Sequence, residues 1–132
     1  MNENPLLDHF DAPYHRGDLP SATHQQSVSS AACGDEVTLA LQIEGQRIQA
    51  AWFQASGCIV CQAAASMLCE HIEHRTLTEL ADFSAAGMLD LIGVPLTPGR
   101  QPCGLLALQA FRAILDSDSA LVNLEQHHRH CP

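Results

Sequence analysis

The chain has 132 residues, 46% hydrophobic and 16% charged, the composition of one ordinary globular domain that needs no disulfides to fold. Its formal net charge is −9 and it holds no Lys; the basic residues are six Arg, too few to form a phosphate-binding stripe, which excludes nucleic-acid binding. No apolar run reaches the length of a membrane span and the N-terminus lacks an apolar signal core, so the reading is a cytoplasmic protein with reduced thiols and no membrane partner.

Residues 5–11 suit one or two helical turns, and Pro13, Gly17 and Pro20 then make residues 12–22 an extended arm. The polar, β-tolerant stretch 23–31 reads as an edge strand. Val37, Leu39, Leu41 and Ile43 alternate with polar or small residues, the period of a half-buried strand. Glu44-Gly45-Gln46 forms a turn. The next run places Ile48, Ala50, Trp52 and Gln54 on one face, with Ala51 and Phe53 on the other, completing a three-stranded antiparallel meander. After Gly57 the apolar residues move to helical spacing over 59–73. Thr76 and Glu79 have the spacing of a capping box, which predicts a helix to about Phe83; Ser84 caps another through Ile92. Residues 94–102, with three prolines, read as a loop, and Leu105 to Leu115 as a last helix. Strands followed by helices give an α+β domain with the helices packed on one face of the sheet. Residues 1–132 form one domain, with 1–22 as its arm and 125–132 as a mobile His-rich tail.

Three cysteines stand at the ends of predicted elements: Cys33 before a strand, Cys58 between a strand and a helix, and Cys103 before the last helix. Asp35 lies two residues from Cys33. Three thiolates and a carboxylate suit tetrahedral zinc or a labile iron–sulfur cluster. Helix N-termini at Cys58 and Cys103 favour the anionic ligands such a site needs. Spacing alone suits three small buried residues equally well. Cys58 and Cys61 also form a C-x-x-C pair, the motif of a thiol oxidoreductase, although the strand pattern before them is a hairpin and not a βαβ unit. Cys69, eleven residues beyond Cys58 and about 16 Å along the helix, reads as core. His71 and His74 read as helix-end surface, and His127, His128, His130 and Cys131 as a solvated C-terminus.

Leu-Asp-His-Phe-Asp-Ala-Pro-Tyr-His-Arg-Gly at 7–17, Cys-Gly-Asp at 33–35, Phe-Gln-Ala-Ser-Gly-Cys at 53–58, Gln-Ala-Ala-Ala-Ser-Met-Leu at 62–68 and Cys-Gly-Leu-Leu-Ala at 103–107 occur in this order. Together they resemble the NifU/IscU/SufU-type iron–sulfur cluster assembly scaffolds over nearly the whole chain. The resemblance implies a SufE/NifU-like α+β domain whose three cysteines converge at one exposed end. It implies a scaffold, not an enzyme, that accepts sulfur from a cysteine desulfurase. Such a scaffold binds iron and holds a transient [2Fe–2S] cluster, or zinc in the same place, on Cys33, Asp35, Cys58 and Cys103. It then passes the cluster to apo iron–sulfur acceptor proteins, and is a monomer or weak oligomer. The aspartate is tied to cluster lability. Cys103, in the Pro-flanked segment taken as most accessible, is the expected persulfide acceptor.

Two departures stand out. IscU-type scaffolds carry His before the last cysteine, where this chain has Pro102, and a Lys-bearing chaperone segment, where it has Val94 to Arg100 without Lys. Chaperone handling is therefore not implied. SufU-type proteins lack that His too but have a longer insertion between the second and third cysteines. They supply the alternative of a zinc-bound sulfurtransferase, with the C-x-x-C oxidoreductase as a remote third. Position 61 is commonly Ser in the family, so Cys61 is an extra thiol, a candidate auxiliary ligand or sulfur relay. If it has that role, Cys61→Ser lowers metal content or sulfur transfer; unchanged values of both remove it.

Overall fold

A computed structural model describes residues 5–30 and 34–117. The elements are α1 (Pro5–Asp11), β1 (His24–Ser29), β2 (Glu36–Glu44), β3 (Arg47–Ser56), α2 (Ile59–Ile72), α3 (Ala85–Ile92) and α4 (Gln101–Ser117). The strands form an antiparallel sheet in the order β1-β2-β3, the expected meander. Helices α2 and α4 cover one face of it. Val37, Leu39, Leu41, Ile48, Ala51 and Phe53 point into that interface and are fully or almost fully buried. No described helix is long and apolar enough to cross a membrane.

One register detail departs from the sequence pattern. Strand pairing shifts between Gln42 and Ile43, so that Gln42 faces Ala50 while Ile43 faces Ile48. Gln49 is the extra residue of a β-bulge, which reverses the inward–outward alternation. Ile48 therefore enters the core, whereas Ala50, Trp52 and Gln54 remain on the open face. A strict period of two cannot reveal such an insertion.

The outer edge of β3 is covered in two places. Near its middle, Gly17 N–H donates to the Phe53 carbonyl at 2.8 Å and Phe53 N–H donates to the His15 carbonyl at 3.0 Å, which seats the arm as a short parallel bridge. Near its start, His74 N–H donates to the Ile48 carbonyl at 2.7 Å and Leu77 N–H to that of Gln46 at 2.7 Å. Covering the edge removes a template for pairing with other chains.

The segment after α2 corrects the expected helix at 76–83. Its capping box does form: Thr76 N–H donates to Glu79 Oε1 at 2.8 Å and Glu79 N–H to Thr76 Oγ1 at 3.1 Å. The residues that follow make successive turns instead, because Thr76 and Leu77 are already tied to the start of β3. The α3 helix lies as expected, with Ser84 accepting from Gly87 N–H at its N-terminus. The last helix starts earlier than expected, at Gln101. Pro102 reads as a breaker, but in a first turn its missing N–H has no helical partner to lose and its fixed φ suits the helix.

Helix α2 runs through the centre, packed against α1, β3, α3 and α4. Ala63, Ala64 and Ala65 are wholly buried, small side chains that let neighbours approach on several sides. Two buried polar residues tie the N-terminal segment to this helix. Ser66 Oγ accepts from Tyr14 N–H at 2.7 Å and contacts His9 Nδ1 at 2.8 Å. Glu73 accepts from the Tyr14 hydroxyl and, at 2.9 Å, from Ala51 N–H, and it pairs with His15 Nδ1 at 3.0 Å. The His15 ring in turn stacks between Tyr14 and Trp52. Cys69 is wholly buried, as expected of a core residue, and burial together with Glu73 pushes its thiol pKa up. His74 is exposed just beyond α2, whereas His71 is partly covered by Phe83, and that burial lowers its pKa.

Removing the buried carboxylate leaves the Ala51 N–H and Tyr14 hydroxyl without their acceptor. Glu73→Ala should lower the unfolding free energy in urea by about 3 kcal/mol, and Tyr14→Phe by about 1 kcal/mol. The Tyr14 pKa is raised from 10.0 to about 12, first by its bond to Glu73 and then by burial. Its stabilising effect is whole below pH 10 and is lost as pH rises through 12, so Tyr14→Phe should flatten the alkaline arm of a stability–pH profile.

Candidate metal centre

Strand β3 ends at Ser56, and Gly57 and Cys58 turn the chain into α2. Cys58 is the N-cap: its backbone is extended and its Sγ accepts from Cys61 N–H at 3.4 Å. Asp35, 2% exposed just before β2, lies against this turn. Its Oδ1 accepts the Cys58 backbone N–H at 3.1 Å, and its Oδ2 accepts the Cys58 thiol at 3.1 Å. The Asp35 carbonyl accepts Ser30 N–H at 2.8 Å, closing the connection between β1 and β2.

Glycine at position 57 makes this contact possible. Its φ is +125°, and a Cβ there would stand 2.1 Å from Asp35 Oδ1. Any side chain would push the carboxylate off the helix end. A second close approach sets Cys103. A Cβ on Gly104 would lie 2.8 Å from Leu96 Cδ1 and 3.0 Å from Ile92 Cδ1, so glycine lets the first turn of α4 pack tightly against the end of α3 and the following loop.

The result is convergence. One ligand atom each from Asp35, Cys58 and Cys103 lies within 4.8 Å of the others. Bonds of about 2.3 Å to sulfur on a tetrahedral ion separate two ligands by about 3.8 Å, so small side-chain adjustments would bring this donor set onto one ion. Two helix N-termini, those of α2 and α4, approach the group and favour its anionic ligands.

One expectation about the cysteines needs correction. Cys103 is the third residue of α4 and only 1% exposed, so it is not on an accessible loop. Among the described cysteines Cys58 is the partly exposed one, while Cys61, Cys69 and Cys103 are buried. Cys61 lies one turn beyond Cys58 and is not a member of the converging group. Cys33 and the tail residues His127, His128, His130 and Cys131 lie outside the described residues.

The model of the NifU-like N terminal domain matches residues 1–119. The chain belongs to this family. The bifunctional protein NifU/MnmA of Rubrobacter xylanophilus is 34% identical over 106 residues, 80% of this chain and 22% of that protein. An iron–sulfur cluster assembly scaffold protein IscU of Thermotoga maritima is 34% identical over 80 residues, covering 61% of this chain and 56% of the scaffold. This NifU-like chain thus spans well under two thirds of either relative. A zinc-dependent sulfurtransferase SufU of Bacillus subtilis is 26% identical over 72 residues, 54% of this chain and 48% of its own length. The crystal structure of a nitrogen-fixing NifU-like protein (N-terminal) from Brucella abortus shares the fold, with a TM-score of 0.69 at 20% identity over 87% of this chain and 91% of the other.

Sequence reasoning singled out Asp35, Cys58 and Cys103 but missed Gly57 and the side chains bracing its turn. A glycine directly before a candidate ligand at a strand–helix junction is the signal that points to it. Gly57→Ala should cost about 2 kcal/mol in urea unfolding, through strained φ and the displaced carboxylate. It should also weaken Co²⁺ binding, read from thiolate-to-metal absorption, more than Gly99→Ala, where open space surrounds the new Cβ.

Proposed function

We propose that this chain is an iron–sulfur cluster assembly scaffold. It accepts sulfur from a cysteine desulfurase, binds iron, and holds a transient [2Fe–2S] cluster as cargo for apo-proteins. The observation that carries the reading is the convergence of Asp35, Cys58 and Cys103 on one small volume. Cys33, two residues before Asp35 in the chain, is proposed as the third thiol. The Thermotoga maritima relative, named an iron–sulfur cluster assembly scaffold protein, supports the same reading.

The chemistry of the donors suits a carrier better than a permanent holder. Thiolates bind iron firmly, whereas a carboxylate oxygen is the weaker partner for a soft centre and the point at which a cluster is most readily opened. Asp35 holds its carboxylate against Cys58, so the oxygen can enter and leave the coordination shell with a small movement. Sulfur delivery needs an approachable nucleophile. Cys58 meets that need among the described cysteines, and we place the first persulfide there in place of Cys103. Cys61 remains the candidate relay, buried one turn behind Cys58.

A second reading is favoured by the zinc-dependent relative: zinc held by the same residues, masking the acceptor thiol until the desulfurase rearranges its ligands.

Anaerobic protein given ferrous iron, cysteine, a desulfurase and a thiol reductant, which takes the persulfide sulfur to sulfide, should gain the visible spectrum of a [2Fe–2S] cluster, with iron and acid-labile sulfide in equal amounts. In Asp35→Ala, which removes the weak oxygen donor, that cluster should outlast the parent's against a chelator. One tightly held zinc, with sulfur transfer but no cluster, would establish the second reading instead. Mass spectrometry after desulfurase loading without iron should find the added sulfur on Cys58; sulfur confined to Cys33 or Cys103 contradicts that assignment.

A further inference from the structure

The N-terminal arm reaches the metal centre through side chains that the proposed chemistry does not use. Arg16 Nη1 donates to Gln62 Oε1 at 2.9 Å, and Arg16 Nη2 donates to the Ala55 carbonyl at 3.0 Å. Gln62, one turn into α2, donates through Nε2 to the Gly57 carbonyl at 2.9 Å. The amide of Gln62 therefore has one sensible orientation, oxygen to the guanidinium and nitrogen to the carbonyl. Together the two side chains grip the carbonyls of residues 55 and 57, on either side of Ser56. The same turn is held from the opposite direction by Asp35, whose carboxylate fills the space beside Gly57 and caps Cys58. Arg16 is itself held in place, because its neighbours His15 and Gly17 are hydrogen-bonded to Phe53 of β3.

We propose that Arg16 and Gln62 are positioning residues that set how firmly the Asp35–Cys58–Cys103 group holds its metal, which makes the arm a lever on release. The proposal rests on reading that group as a metal site, but it concerns different residues. The turn from Ala55 to Cys58 carries both the Cys58 thiol and the N–H that anchors Asp35. Slack in the turn moves two ligands at once. Arg16 is exposed and two of the three bonds of the grip are exposed, so it adds little to global stability and is open to a partner that competes for the guanidinium or the amide. Groups that orient ligands without touching the metal change metal affinity by about 10- to 100-fold when removed.

Co²⁺ bound to the full chain serves as a probe, with thiolate-to-cobalt absorption followed after addition of excess EDTA. Arg16→Ala and Gln62→Ala should each release cobalt about ten-fold faster than the parent chain. The double variant should be no faster than either single one, because the two residues act through one connection. Melting of the metal-free protein should change little in all three. Arg16→Lys keeps the charge but cannot bridge two carbonyls in fork geometry, so it should resemble Arg16→Ala. Release rates within two-fold of the parent would overturn the lever, as would full rescue by Arg16→Lys, which would reduce the effect to charge alone. A parent chain that binds no Co²⁺, Zn²⁺ or iron would overturn the metal-site reading and the lever with it. Unchanged release from a chain that does bind removes only the lever.

Discussion

The structure turns on one contact: the Asp35 carboxylate lying on the N-terminus of α2, in space that only a glycine at position 57 leaves open. It joins the connection between β1 and β2 to the strand–helix turn after β3. Both oxygens are engaged by Cys58, one through its backbone and one through its thiol. A buried carboxylate must be compensated by hydrogen bonds or charge, and a helix N-terminus offers both in one place. The carboxylate is thus held beside the N-cap cysteine it would share a metal with. Stability and site assembly draw on the same interaction.

The rest of the fold delivers the third described candidate ligand and fixes the turn. Helix α4 packs across the sheet and against α2, and Gly104 lets its first turn sit close to Ile92 and Leu96, which brings Cys103 in at depth. On the other side, Ser66 and Glu73 anchor the N-terminal segment to α2, and Arg16 extends from that anchored segment to the turn at 55–57. A site built this way has a firm interior, with Asp35 and Cys103 buried, and one partly open candidate ligand, Cys58. That asymmetry suits the proposed role of a carrier that accepts and gives up what it binds.

Much of the architecture was legible in the chain. The alternation from Val37 to Ile43 marked β2, the helical spacing from Ile59 to Ile72 marked α2, and Ser84 marked the start of α3. What was missed has particular causes. A single inserted residue at Gln49 reversed the face of Ile48, and a pattern of alternation carries no trace of an insertion. The capping box at Thr76 and Glu79 formed without a helix, because strand-edge pairing claimed the adjoining backbone. Pro102 looked like a loop residue and is a helix-start residue. Ser66, buried within α2, and Glu73, its C-cap seven residues on, were the overlooked sign that this side of the helix receives polar partners.

By itself the sequence determined the donor types, their attachment to the ends of particular elements, and the local periods of those elements, since these depend on neighbouring residues. Only the tertiary structure decided which donors meet and how deep each one lies. Asp35, Cys58 and Cys103 come from three separated segments, and their convergence depends on how two helices pack on a sheet and on two glycines that permit close approach. The same packing buried Cys103 and left Cys58 the more open thiol. Depth is a property of surrounding mass, and distant parts of the chain supply that mass.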